Sequence, residues 1–169
     1  MLTGSDIKLQ IAALQAISHF PDLISFKKLL KVVTSDNLEI KQLIVKIAVD
    51  KQSEELIPFI LSILQHVETR KIARNALKSF TAHQVEPLII HKLLINKYSL
   101  DATDIGFINV LGDIGTEISL KILLEISPHA KFEILQDAIV DAFRDITINN
   151  ELMKSDSIII VKLFEYRLK

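Results

Sequence analysis

Hydrophobic residues return at helical spacing through most of the chain. At five places the stripe closes on a large apolar side chain, Leu14, Ile47, Leu77, Leu111 and Phe143, separated by 33, 30, 34 and 32 residues. Each period holds two amphipathic segments with a short polar break between them, which predicts a repeating helical hairpin. A single hairpin leaves its apolar stripe uncovered, so such units bury it by stacking on their neighbours.

Ile7, Ile11, Leu14 and Ile17 recur at three- and four-residue spacing and predict a helix from about Ser5 to His19, with Ser5 and Asp6 as N-cap candidates. Pro21 and Asp22 break the chain before Leu23–Val33, whose stripe is Phe26, Leu29, Leu30 and Val33. Thr34-Ser35-Asp36-Asn37 is a turn and capping cluster ahead of Leu38–Val49. Ile57–Leu64 follows, with Pro58 in a first turn where its missing N–H costs little. The third hairpin is predicted over Thr69–Phe80 and Val85–Ile95, with Pro87 at nearly the place Pro58 holds one period earlier. The fourth runs from about Asp101 to Ile114 and from Thr116 to Ile126, and Gly115 is placed to end its first helix in a left-handed conformation. Phe132–Ile146 and Ile158–Leu168 make the fifth, joined by the longest break, Thr147–Asp156. The runs Leu88-Ile89-Ile90 and Ile158-Ile159-Ile160-Val161 suit strands by composition, but each occupies the second-helix position of the period and is expected to be helical.

The expected organisation is therefore one domain over residues 1–169, divided into hairpins at about 5–34, 37–66, 68–97, 99–129 and 130–169. Around Val110-Leu111-Gly112-Asp113-Ile114-Gly115-Thr116-Glu117-Ile118-Ser119-Leu120-Lys121-Ile122-Leu123-Leu124 the chain resembles a HEAT-type repeat, in which the first helix ends on a leucine, a glycine, an often acidic residue, an aliphatic and a glycine. The likeness is partial at Asn75-Ala76-Leu77, Val85-Glu86-Pro87-Leu88 and Ala13-Leu14-Gln15-Ala16-Ile17, and elsewhere consists of spacing alone. The resemblance implies an all-α fold, a right-handed α-α superhelix of about five HEAT-like hairpins. It also implies a scaffold or recognition module; some proteins of this shape process nucleic acids or act as lyases, so the fold does not fix the function.

Composition narrows the chemistry. The 169 residues contain no cysteine, which excludes a disulfide framework, a zinc-thiolate site and a cysteine nucleophile and is compatible with a reducing compartment. Few Gly and Pro, four of each, among abundant Leu and Ile favour helices. The first residues show no secretory pattern, and no uncharged apolar run approaches the roughly 20 residues that span a bilayer. A cytoplasmic chain without membrane insertion is expected. Charge is uneven: residues 1–100 carry 13 Lys/Arg against nine Asp/Glu, and 101–169 carry seven against 12.

The sequence contains no phosphate-binding Gly loop, zinc-protease or nucleophile-elbow motif, or EF-hand loop. His83 and His91 lie eight residues apart, too far to chelate one metal from a single helix, and His19, His66 and His129 fall at helix ends, where imidazoles cap carbonyls. No cofactor, metal site or catalytic set is expected. Arg70, Lys71, Arg74 and Lys78 form a basic helix edge, the best candidate for phosphate contact. Asp137, Asp141 and Asp145 form an acidic one. A solvated helix edge is the favoured explanation of both, and with no Trp and two tyrosines, Tyr98 and Tyr166, there is little to stack on bases. Nucleic acid is therefore the second choice of partner, behind another protein or a peptide segment.

One regularity marks a surface. Each second helix carries two apolar residues and then a polar one: Leu29-Leu30-Lys31, Ile60-Leu61-Ser62, Ile89-Ile90-His91, Leu123-Leu124-Glu125 and Ile160-Val161-Lys162. Equivalent positions of stacked repeats align. By the resemblance, second helices line the concave side, so Lys31, Ser62, His91, Glu125 and Lys162 are the expected partner-binding ridge.

Overall fold

The structure, a computed structural model, describes residues 7–19 and 36–149. Regular structure among them is entirely helical, with no strand. The α-helices are α1 (Ile7–His19), α2 (Leu38–Asp50), α3 (Ile57–Leu64), α4 (Val67–Leu77), α5 (Ala82–Ile95), α6 (Ile105–Ile114), α7 (Glu117–Ile126) and α8 (Glu133–Asn149). Leu88-Ile89-Ile90 lies within α5. The predicted helices Leu23–Val33 and Ile158–Leu168, and with them Lys31 and Lys162, fall outside the described residues. All five sequence anchors are buried: Leu14, Ile47, Leu77, Leu111 and Phe143 are each at most 3 % exposed. Full burial of side chains of this size contributes about 1.5–3 kcal/mol apiece.

The chain divides into two compact units, 1–80 and 81–169, with the boundary inside the predicted 68–97 hairpin. In the first, α1 packs on α2, α2 on α4 and α3 on α4. Its core is aliphatic, built on Leu14, Ile40, Ile44, Ile47, Ile60, Leu64 and Leu77. The buried face of α1 is Gln10, Leu14 and Ile17, whereas Ile7 is 43 % exposed. The predicted stripe is thus shifted at its start, because the residue one turn before Leu14 is Gln10. Asn37 caps α2, its Oδ1 accepting the Glu39 and Ile40 N–H groups at 2.9 and 3.2 Å. At the other end Gln52 takes φ 50° while the Ser53 N–H reaches Ala48 O and the Gln52 N–H reaches Val49 O, a Schellman closure built on a residue other than glycine. Pro58 sits in the first turn of α3 as predicted. Helix α4 starts two residues earlier than its apolar stripe suggests and ends at Leu77, after which Ser79 and Phe80 donate to Ala76 O and Leu77 O in tighter three-residue steps.

In the second unit the most extensive packing is of α6 on α8, while α5, α6 and α7 contact one another pairwise to similar, smaller extents. A Cβ added at Gly112 would lie 2.8 Å from the Cα of Ala142, so the α6–α8 contact brings backbone to backbone and requires glycine there. Gly115 ends α6 at φ 69°, in the left-handed region expected of it. Three boundaries differ from the apolar pattern. Helix α5 begins at Ala82, because Gln84 Oε1 accepts the Thr81 N–H and hydroxyl at 2.8 and 3.0 Å in a T-x-x-Q capping box. Pro87 consequently stands inside a helix and not in a first turn like Pro58. Helix α6 starts at Ile105, since Asp101 and Asp104 fold residues 101–104 into a side-chain-closed turn. Helix α8 continues past Ile146 to Asn149, the Thr147 hydroxyl donating back to Arg144 O at 2.7 Å.

Candidate partner-binding surface

The described ridge residues all reach the surface. Ser62 is exposed on α3, its hydroxyl donating to Phe59 O at 2.7 Å; His91 is exposed on α5 and Glu125 on α7. Contact between α5 and α7 places His91 and Glu125 on adjacent helices of the second unit, while Ser62 belongs to the first. The same two helices expose large apolar side chains: Leu88 (41 %) and Ile95 (66 %) on α5, Ile118 (55 %) and Leu124 (36 %) on α7. Exposed aliphatics are ordinary one at a time, and others are exposed on α1, α2, α4 and α8; this pair of contacting helices carries four.

A polar cluster closes the C-terminal ends of this pair. Lys97 Nζ lies 3.1 Å from Glu125 Oε1 and 5.2 Å from the centre of the Tyr98 ring. Tyr98 in turn meets His129 edge to face at 4.8 Å. The bond to Glu125, then the neighbouring Tyr98, hold the Lys97 ammonium above its usual pKa. Glu125, expected on the ridge, is thus the acceptor of a bridge between the segment after α5 and α7.

Beneath the surface, α5 is keyed to α7 through Glu86. Its buried carboxylate accepts the Thr116 hydroxyl and, at 2.6 Å, the hydroxyl of fully buried Ser119. Thr116 Oγ1 also accepts the Ser119 N–H at 3.0 Å, so Glu86 sits at the positive N-terminus of α7. A hydroxyl beside a carboxylate invites a catalytic reading, but Ser119 has no exposed surface for a substrate to reach. The arrangement is an interior joint that sequence reading missed, because its partners are 30 and 33 residues apart.

The basic edge of α4 is partly committed to the fold. Arg70 directs Nε to Leu64 O and Nη2 to Gln65 O, each at 3.3 Å, capping the last turn of α3, while Lys71 and Lys78 are exposed. On α8, Asp141 pairs with Arg144 at 2.7 Å and Asp137 is exposed. A cleft of about 610 Å³ in the first unit is lined by Asp36, Lys41, His66 and Glu68 among others. Lys41 bonds Asp36 at 2.9 Å and holds its carboxyl below the ordinary range. Among the described residues no cluster of three or more His, Asp or Glu could hold a metal ion, and no helix is long and apolar enough to cross a membrane. No protein-family model, curated protein or solved structure gives a significant match to this chain.

Proposed function

We propose that this chain is a protein-interaction module, a right-handed stack of HEAT-like hairpins whose second helices receive another protein or a peptide segment. The observation that carries this reading is the surface of α5 and α7, where Leu88, Ile95, Ile118 and Leu124 are exposed beside His91 and Glu125. Apolar anchors among polar positions are the composition of a recognition surface, in which a few desolvated side chains supply most of the affinity. Packing of α6 on α8 and of α5 on α7 supports separate layers of first and second helices in the second unit. Phosphate contact through α4 is the weaker alternative, since Arg70 is drawn back onto the carbonyls of α3.

The test is affinity capture with quantitative mass spectrometry on wild type, Ile95→Glu with Ile118→Glu, and the outer-face variant Asp141→Lys. Partners lost from the α5/α7 variant and retained by Asp141→Lys support the reading. The opposite pattern overturns the surface assignment. Binding to DNA that weakens steeply with salt would replace it with the phosphate-contact alternative.

A further inference from the structure

The turn before α6 contains a carboxyl that the binding surface does not use. Asp104 is 3 % exposed and stands at the N-cap of α6 without capping it through its side chain. One oxygen, Oδ2, accepts the Asp101 N–H at 3.1 Å; the other, Oδ1, is buried with no hydrogen-bond partner. Asp101 is engaged in the same turn, its Oδ1 accepting the Thr103 N–H and hydroxyl at 2.7 and 2.6 Å. A buried carboxylate with one bare oxygen is a costly anion, whereas the protonated acid is tolerated far better.

We propose that Asp104 is a proton-operated latch: protonated, it holds the 101–104 turn closed against the start of α6, and on ionising it favours release of that turn. Two charged groups act on it, the Asp101 carboxylate in the same turn, which opposes its ionisation, and Lys92 on α5, which favours it; the bond from the Asp101 N–H favours ionisation more strongly than Lys92 does. Burial is the largest influence and raises the Asp104 pKa above its ordinary 3.8. An acid whose folded pKa is raised binds its proton more tightly in the folded state. Its contribution to stability is therefore most favourable below 3.8 and is lost as pH rises through the folded-state pKa. Asp101 has the opposite sign, since bonds from the Thr103 hydroxyl and then its N–H lower its pKa. The latch must therefore be read from a difference between variants.

Asp104→Asn supplies that difference, because asparagine keeps an acceptor for the Asp101 N–H and never ionises. Urea denaturation of both proteins from about pH 3.5 to about pH 8 should show the Asp104→Asn variant gaining on wild type as pH rises, up to tenfold in folding constant per unit of pKa elevation. Carbon NMR of the wild-type carboxyl should place the Asp104 midpoint above 3.8. In wild type, amide exchange at Asp101, corrected for its intrinsic pH dependence, should accelerate relative to Leu111 as Asp104 ionises. Parallel stability curves, a midpoint at or below 3.8, or a constant Asp101-to-Leu111 ratio would each overturn the latch. The NMR titration decides the matter even if the variant folds poorly.

Discussion

The two units close their helix corners differently. In the first, the α3–α4 corner is tied by side chains returning to nearby backbone: the Thr69 hydroxyl donates to Ile63 O at 2.5 Å, and Arg70 reaches Leu64 O and Gln65 O. These partners are at most six residues apart, so the ties form as soon as the two helices do. In the second unit Glu86 on α5 binds Thr116 and Ser119 on α7, a joint that exists only once α5, α6 and α7 are all in place. Local ties fix one corner; the distant joint couples α5 to α7.

The largest effects should come from what the units share, the apolar anchors. Leu77→Ala and Leu111→Ala should each cost about 2–5 kcal/mol in chemical denaturation, since both side chains are almost wholly buried. Gly112→Ala should cost about 1–3 kcal/mol, because the added methyl meets the Ala142 backbone, which cannot rotate away. A wild-type midpoint in either leucine variant would remove the anchors from the core.

The corners separate the units more sharply. Glu86→Ala deprives the Thr116 and Ser119 hydroxyls of their acceptor and should cost about 1–3 kcal/mol. Thr69→Val removes one donor, while Ile63 O keeps a bond from the His66 N–H, so about 0.5–1.5 kcal/mol is expected. Hydrogen exchange should show Glu86→Ala loosening both α5 and α7, and Thr69→Val loosening only the α3–α4 corner. Equal, unit-wide loosening in both variants would abolish the distinction between local ties and a distant joint.

Much of this was legible in the sequence, and what was not has identifiable causes. Apolar spacing located every described α-helix, though not the short 3-10 turns Glu54–Leu56 and Ser127–His129, because period 3.6 survives changes of residue type, and it marked the five anchors. It fixed ends poorly wherever polar side chains set them. The Asp101–Asp104 turn displaces the start of α6 by four residues from the expected Asp101, and the Thr81–Gln84 box draws α5 forward to Ala82. For the surface, the residue after each apolar pair in α3, α5 and α7 does reach solvent, since a residue beyond the buried arc must. The fate of individual charges was not legible. Glu86 has the sequence context of a solvated acid, and Arg70 that of a free cation; partners at α7 and at the end of α3 decide them. The Lys97–Glu125 bridge, spanning 28 residues, is of the same kind.

The smallest predicted effects test a comparison of helix ends. Helix α2 closes on Gln52 at φ 50° and α6 on Gly115 at φ 69°, so the backbone turns through the left-handed region at both ends, but only one does so with the residue suited to it. For an L-residue other than glycine that conformation crowds Cβ against the following carbonyl, at a cost of about 1–2 kcal/mol, offset in part by the greater unfolded-state freedom of glycine. Gln52→Gly should therefore stabilise the protein by up to about 1 kcal/mol, and Gly115→Ala should destabilise it by about 1 kcal/mol or slightly more. Gln52 is exposed, and its Nε2 donates to Val49 O at 3.0 Å, which holds the gain below the full conformational value. Urea midpoints of the two single variants and the double variant would decide it. Opposite, additive shifts are expected of independent helix ends; a loss of stability in Gln52→Gly would mean that the side-chain bond outweighs the backbone strain it accompanies.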